Sequence, residues 1–250
     1  MSTAPHDDGP GRAPDRGAAL VAAARTAGAL LALAGLALGA GCDKRVIPAR
    51  GDAPGAERFL EGGQLVFEDR FERAELGSDW KTDMPFSADK RGWRIVDGWL
   101  HSTQPENDGA WLMKLLPDGP VRVEFTARSE PKADGSFPGD LKCEIFATEP
   151  RHEAGYIVIN GGWNNSLDVI ARLDEHGEDR LAQKSRPVMR STAHRWVVAR
   201  EKNKIYWFRD GALVMTYTDD APIPGRYFGL NNWASNAYFD DVAVYTLSGG

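Results

Sequence analysis

Beyond Gln64 apolar and polar positions alternate with a period of two. Val121, Val123, Phe125 and Ala127 alternate with Arg122, Glu124, Thr126 and Arg128. Leu141, Cys143 and Ile145 alternate with Lys142, Glu144 and Phe146. Such alternation marks strands with one face in a core and one face out. Turn-forming clusters separate the runs, at 118–120, 133–136, 175–178 and 210–211. The clearest stretch spans Trp196 to Tyr217. It predicts a strand over 196–200, a turn at Lys202 and Asn203, a strand over 205–208, and a return over 212–217. Asp210 and Gly211 join the last two, because Asp-Gly accepts the positive φ angles of a type I′ hairpin turn. No amphipathic helix of ten or more residues is evident after Arg58. Twelve to fourteen short strands with frequent turns predict an all-β fold, a two-sheet sandwich or jelly roll.

The first 58 residues have another character. They hold none of the eight Trp, six Tyr and ten Phe of the chain. A segment without aromatics buries too little surface to offset its ordering entropy. The run from Thr26 to Gly41 is apolar for 16 residues, follows Arg12, Arg16 and Arg25, and ends in small residues. That is a secretory signal peptide over 1–41, short of the ~20 apolar residues a spanning helix needs. Cys42 follows Gly39, Ala40 and Gly41 directly. The arrangement resembles a bacterial lipobox, with Gly39 where a large aliphatic residue is usual and Leu38 one position earlier. It implies lipidation at Cys42 and a membrane held through that anchor. Plain secretion and an uncleaved anchor are the alternatives. All three place the folded part outside the cytoplasm, and the lipid anchor places it in the cell envelope, on a periplasmic or extracellular face. Residues 42–58, polar and containing Pro48, Pro54, Gly51 and Gly55, predict a flexible tether, leaving 59–250 as the folded domain.

Charge narrows the partners. The formal net charge is −6, and no Lys/Arg cluster is interleaved with aromatics. Nucleic-acid binding needs a basic face and is excluded as an expectation. Cys143, flanked by outward polar residues in a strand, reads as a small buried hydrophobe. No phosphate loop, dinucleotide fingerprint or nucleophile elbow is present. The chain is expected to be monomeric.

Three segments carry a resemblance. They are Phe67 to Phe71 (FEDRF), Leu76 to Trp80 (LGSDW) and Trp93 to Leu100 (WRIVDGWL). Together they are similar to the opening of concanavalin A-like lectin/glucanase domains, of the LamG-like and keto-disaccharide-hydrolase-like kind. Phe228 to Trp233 and Tyr238 to Tyr245 resemble the closing strands. The resemblance implies a concanavalin A-like jelly roll in which the first and last strands pair. It covers lectins, lyases, glycosidases and interaction modules, so it does not choose an activity. The glucanase signature Glu-x-Asp-x-x-Glu has its nearest counterpart at Glu144 to Glu149, where Phe146 replaces the Asp.

Candidate chemistry follows from what sugars require: aromatic rings to stack on, and planar polar groups for hydroxyls. Trp163, Asn164 and Asn165, after a Gly-Gly pair, form one cluster, and Asn231, Asn232 and Trp233 form another. Lys142 and Glu144 share a strand face, and Arg172 is a possible partner for Glu144. An ion pair there would make Glu144 a binding group rather than a general acid. Glu144 remains the catalytic candidate if the protein is an enzyme, with Glu124 as a second carboxylate if their strands pair. Glu68 and Asp69 on the first strand and Asp240 and Asp241 on the last offer hard oxygen ligands. No cofactor is expected, with structural calcium as the one alternative and a charged edge that discourages strand pairing as the other reading of these residues. Three functions stay open: a non-catalytic carbohydrate-binding domain on a lipid anchor, a glycoside hydrolase or polysaccharide lyase, and a structural or protein-interaction lipoprotein.

Overall fold

The computed structural model describes residues 53–82, 92–103, 106–131, 135 and 138–248. The expected signal peptide, Cys42 and most of the expected tether lie outside the described residues, as do parts of the 102–108 and 130–139 loops. Among the described residues fifteen strands form two antiparallel sheets. The eight-stranded sheet contains β1 (Gln64–Asp69), β3 (Trp93–Val96), β4 (Trp99–Ser102), β6 (Val121–Glu130), β11 (His194–Glu201), β12 (Lys204–Arg209), β13 (Ala212–Thr218) and β15 (Asn236–Thr246). Its order is β13-β12-β11-β6-β15-β4-β3, with β1 also on β15. The seven-stranded sheet contains β2 (Trp80–Thr82), β5 (Ala110–Leu112), β7 (Leu141–Ala147), β8 (Tyr156–Gly161), β9 (Leu167–Arg172), β10 (Arg180–Lys184) and β14 (Tyr227–Asn232). Its order is β10-β9-β8-β7-β14-β5-β2.

The alternating residues explain the layering. Val123, Phe125, Trp196, Val198 and Trp207 point from the first sheet to the interior, and Cys143, Ile145, Val158, Ile170 and Phe228 meet them from the second. Phe125 stacks on Trp196 at 5.1 Å, and Trp196 packs on Trp207 at 4.9 Å. Large rings fill the space between the sheets. The first and last strands pair, Gln64 opposite Thr246 through Asp69 opposite Val242. Strand β15 serves two partners on one edge. Its first half bonds β4 and its second half bonds β1, and a bulge around Asp240 and Asp241 divides them.

Two expectations change here. Phe146 does not face outward with Lys142 and Glu144. It is the extra residue of a bulge between Ile145 and Ala147, at φ 56, and its ring lies in the core. A bulge shifts the alternation by one residue, which period-two reasoning cannot anticipate. Glu124 and Glu144 are not neighbours either. Their strands, consecutive in sequence, belong to different sheets. Glu124 lies against Arg122 and Arg195 on the outer face of the first.

The chain enters on that same outer face. A 3₁₀ turn over Ala56–Leu60 lays Phe59 on Tyr206 at 4.5 Å, over Val197, Ala199 and Phe208. The domain therefore starts on the face opposite the one described next.

Candidate functional site

The outer face of the seven-stranded sheet carries Lys142 and Glu144 from β7, Asn231 from β14, and an apolar strip of Ile157, Ile159, Val169 and Ala171 from β8 and β9. Trp163 covers part of that strip. It is placed by a single left-handed turn over Gly162–Asn165 that links β8 to β9. Trp163 has φ 50 and ψ 64, Asn164 φ 59 and ψ 46, and Asn165 φ 61. Left-handed geometry costs roughly 1–2 kcal/mol per residue with a β-carbon, less for Asn. Three such residues in a row persist only where the surroundings hold them. Asn165 supplies the hold: its amide donates to the Val188 carbonyl at 2.9 Å and accepts from the Val188 N–H at 2.8 Å. Gly161, at φ 68, must be glycine, since a β-carbon there would sit 2.5 Å from the Asn165 amide oxygen.

Beneath the turn lies a closed polar network. The Lys142 ammonium donates to Asn107 Oδ1 at 2.8 Å and to Glu175 Oε2 at 2.8 Å, and lies 3.1 Å from Asp140 Oδ1. Its side chain is 2% exposed. The Asn107 amide nitrogen donates to Glu175 Oε1 at 3.2 Å and lies 3.0 Å from His152 Nε2. His152 Nδ1 lies 2.8 Å from Glu144 Oε1. Glu144, with no exposed surface, also accepts from Asn231 Nδ2 at 2.7 Å and the Glu153 N–H at 3.1 Å. The neutral histidine tautomer that satisfies both contacts donates from Nδ1 to Glu144 and accepts at Nε2 from Asn107.

The charges set the protonation. Burial pushes the Glu175 carboxyl up, but the Lys142 ammonium outweighs it and leaves Glu175 below the usual carboxylate range. Burial raises Asp140, and the same ammonium only partly offsets this. Burial would lower His152, yet its bond to Glu144 and the nearby charges raise it on balance.

Above this network opens a cleft of about 570 Å³. It is bounded by the left-handed turn, the Asp140 and Glu175 loops, His152 and Glu153, and the segment Trp233–Ser235. The size lies within the range of small-molecule sites. Trp163 meets His176 edge-on at 5.5 Å and carries the Arg180 guanidinium over its ring at 5.0 Å. Trp233 is 47% exposed, the most open indole among the described residues.

Most of the residues singled out in the sequence meet here. Trp163, Asn164, Asn165, Lys142 and Trp233 line the cleft, and Glu144 and Asn231 lie beneath it. Asn232 turns to the other face, where its amide donates to the Ser235 carbonyl at 3.1 Å. Arg172 lies elsewhere. On β9 it faces away from Glu144, because Ala171, not Arg172, aligns with Ile157 and through it with Glu144. Arg172 instead pairs with Asp219 at 2.9 Å. Asn107, Asp140, His152, Glu153, Glu175 and His176 were missed. They lie in loops without periodicity. The available signal was Lys142 itself, since an ammonium between apolar strands requires acidic partners.

Of the four acidic residues weighed as calcium ligands, Asp69 accepts from Arg73 at 2.6 Å and from the Trp80 indole at 2.8 Å. Glu68 lies 3.6 Å from Arg70. Asp240 and Asp241 occupy the β15 bulge. Among the described residues no group of three or more His, Cys, Asp or Glu is arranged to hold a metal ion.

Strand order, paired termini and the site on one sheet face define the concanavalin A-like jelly-roll fold, and solved structures agree. The carbohydrate binding module CBM66 from Bacillus subtilis is 15% identical, over 69% of this chain and 98% of that one, at a TM-score of 0.53. The carbohydrate recognition domain of Emp47p is 12% identical, over 74% and 97%, at 0.54. A laminarinase from a Flavobacterium species is 13% identical, over 73% and 100%, at 0.53. No protein-family model and no curated protein matches the sequence.

Proposed function

We propose that this domain binds a glycan in the cleft between Trp163 and Trp233 and leaves it chemically unchanged. The observation that carries the reading is the division of labour among the polar groups. Lys142 and Glu144 are engaged within the protein and buried, while two indoles and the Asn164 amide face the opening. Rings that stack on sugar faces beside amides that bond hydroxyls are the needs of carbohydrate recognition. Glu144, the first catalytic candidate, is enclosed by His152, Asn231 and the Glu153 N–H, which leaves it no path to a glycosidic oxygen. Lys142 keeps Glu175 ionised, the wrong state for a general acid. The carbohydrate-binding module and recognition domain of the same fold accord with glycan binding, and the laminarinase of that fold leaves the choice against catalysis to the geometry of Glu144 and Glu175.

A glycan array probed with the purified protein, with and without calcium, tests it. A discrete set of bound sugars, lost in Trp163→Ala with folding intact by circular dichroism, is expected. Undiminished retention by that variant removes Trp163 from the site, and a blank array in both conditions refutes glycan binding.

The proposal extends to the address of the protein. Cys42, lipidated, would hold the domain at the cell envelope through residues 43–55. Detergent phase partitioning of the wild type and of Cys42→Ser checks the anchor: the variant should move to the aqueous phase.

A further inference from the structure

The cleft also discriminates by charge. Resting on the glycan-binding reading, we infer that it takes uncharged sugar residues and rejects uronates and sulfated glycans.

The argument is an inventory of what an incoming anion would meet. Lys142 is the one Lys or Arg among the described lining residues, and its ammonium is buried, donates to Asn107 and Glu175, and lies 3.1 Å from Asp140. Its charge is taken up by these two carboxylates. Arg180 lies outside the lining, where its guanidinium sits over Trp163 and Nη1 donates to the Glu175 carbonyl oxygen at 2.7 Å. Against these stand Asp140, Glu153 and Glu175 in the lining, with Glu144 directly below. His152 has its ring nitrogens on Glu144 and Asn107, and His176 lies 3.6 Å from Glu175. A carboxylate or sulfate entering the cleft would shed water, find among the described lining residues no Lys or Arg besides the buried Lys142, and face like charge. Like charges brought together without compensation cost enough to suppress a partner. Neutral hydroxyls fare differently. They donate to the Glu153 and Glu175 oxygens and accept from the Asn164 amide, while the sugar's apolar face meets an indole.

Glu153 is the residue through which this selection can be shifted. Its side chain is 42% exposed, so its charge can be reversed without burying an unpaired group. Its backbone N–H, which bonds Glu144, is unaffected by the side chain.

The test is a glycan array at pH 8 that carries neutral oligosaccharides beside oligouronates and sulfated oligosaccharides, probed with wild type and Glu153→Lys in low and high salt. Wild type should bind neutral members, with anionic ones weaker by at least about tenfold. Raising the salt should narrow that gap, since mobile ions screen the repulsion. Glu153→Lys should raise the binding of anionic members relative to neutral ones. Preferential binding of uronates or sulfates by wild type, lost in Trp163→Ala, overturns the charge inference and leaves the glycan site standing. Equal binding of charged and neutral members also overturns it. No binding to any member refutes the glycan reading and this inference with it.

Discussion

Replacing Lys142 by Met isolates the brace under the cleft. Methionine keeps much of the aliphatic stem and removes the ammonium, so the change acts through charge and hydrogen bonds. Glu175 and the Asn107 amide oxygen then lose their donor, and Asp140 loses the ammonium 3.1 Å away. An exposed ion pair is worth about 0–1 kcal/mol, but removing one partner of a buried pair costs about 3–5 kcal/mol. The Lys142 and Glu175 side chains are 2% and 7% exposed, which places the pair in the second regime. Asp140, at 21%, can recover some hydration. A loss of about 3 kcal/mol is therefore expected. Urea unfolding followed by tryptophan fluorescence reads it as a lower midpoint at unchanged slope. The double variant Lys142→Met, Glu175→Gln should be the more stable of the two by about 1–2 kcal/mol, since it removes the stranded charge as well. The acid limb should change with it. Glu175 lies below its unfolded value, so its contribution is present above about pH 4.5 and is lost as pH falls through the lower folded value. In Lys142→Met that part of the acid dependence should vanish. A loss below about 1 kcal/mol, at unchanged slope and acid limb, would refute the buried brace.

Other positions test separate parts of the account. Asp240 is pushed up to about 6 by burial and by Asp241, Glu72 and Asp69 nearby. Its folded value exceeds its unfolded one, so the ionised form opposes folding above that value. Asp240→Asn should therefore stabilise the protein by about 1 kcal/mol at pH 7 and not at pH 4, by denaturation at the two pH values. Tyr156, pushed up to about 12 by burial and by its bond to Asp219, favours the folded state below pH 10 and loses that contribution as pH rises through 12. Tyr156→Phe should flatten stability over this window, and an unchanged alkaline profile would contradict the assignment. At Asn164 the left-handed backbone sets the cost of substitution. Asn164→Ala should destabilise by about 1 kcal/mol and Asn164→Gly by far less, and equal losses would show that the amide matters instead. Arg172→Ala should lower stability through the loss of Asp219 and leave glycan retention unchanged, a result that separates it from the cleft.

How far the fold was legible follows from what alternation encodes. The hairpin at Asp210 and Gly211 was visible because a turn of defined chirality connects strands close in sequence, and the structure pairs β12 with β13 there. Alternation also tells which residues of a strand share a face. Lys142 and Glu144 do share one, opposite Cys143. It carries no information on which sheet a strand joins. That is why Glu124 and Glu144, both outward, ended on opposite surfaces of the sandwich. Arg172 shares the sheet of Glu144, but the register puts it on the other face, against Asp219.

The site was half legible for a related reason. Trp163, Asn164 and Trp233 stand in short clusters whose composition shows directly in the chain. The groups that organise them do not. Asn107 lies 35 residues before Lys142, and Glu175 lies 33 residues after it, each in a loop without periodicity. What joins them is one desolvated ammonium, and its demand for acceptors is a local fact with a non-local answer. A lysine at an outward strand position among Leu141, Cys143 and Ile145 requires that oxygens come to it if that face is covered. The covering loops bring those oxygens, and in bonding the ammonium they leave the cleft with carboxylates in excess of unengaged cations. The constraint that orders the loops is therefore the one that sets the charge the cleft offers to a ligand.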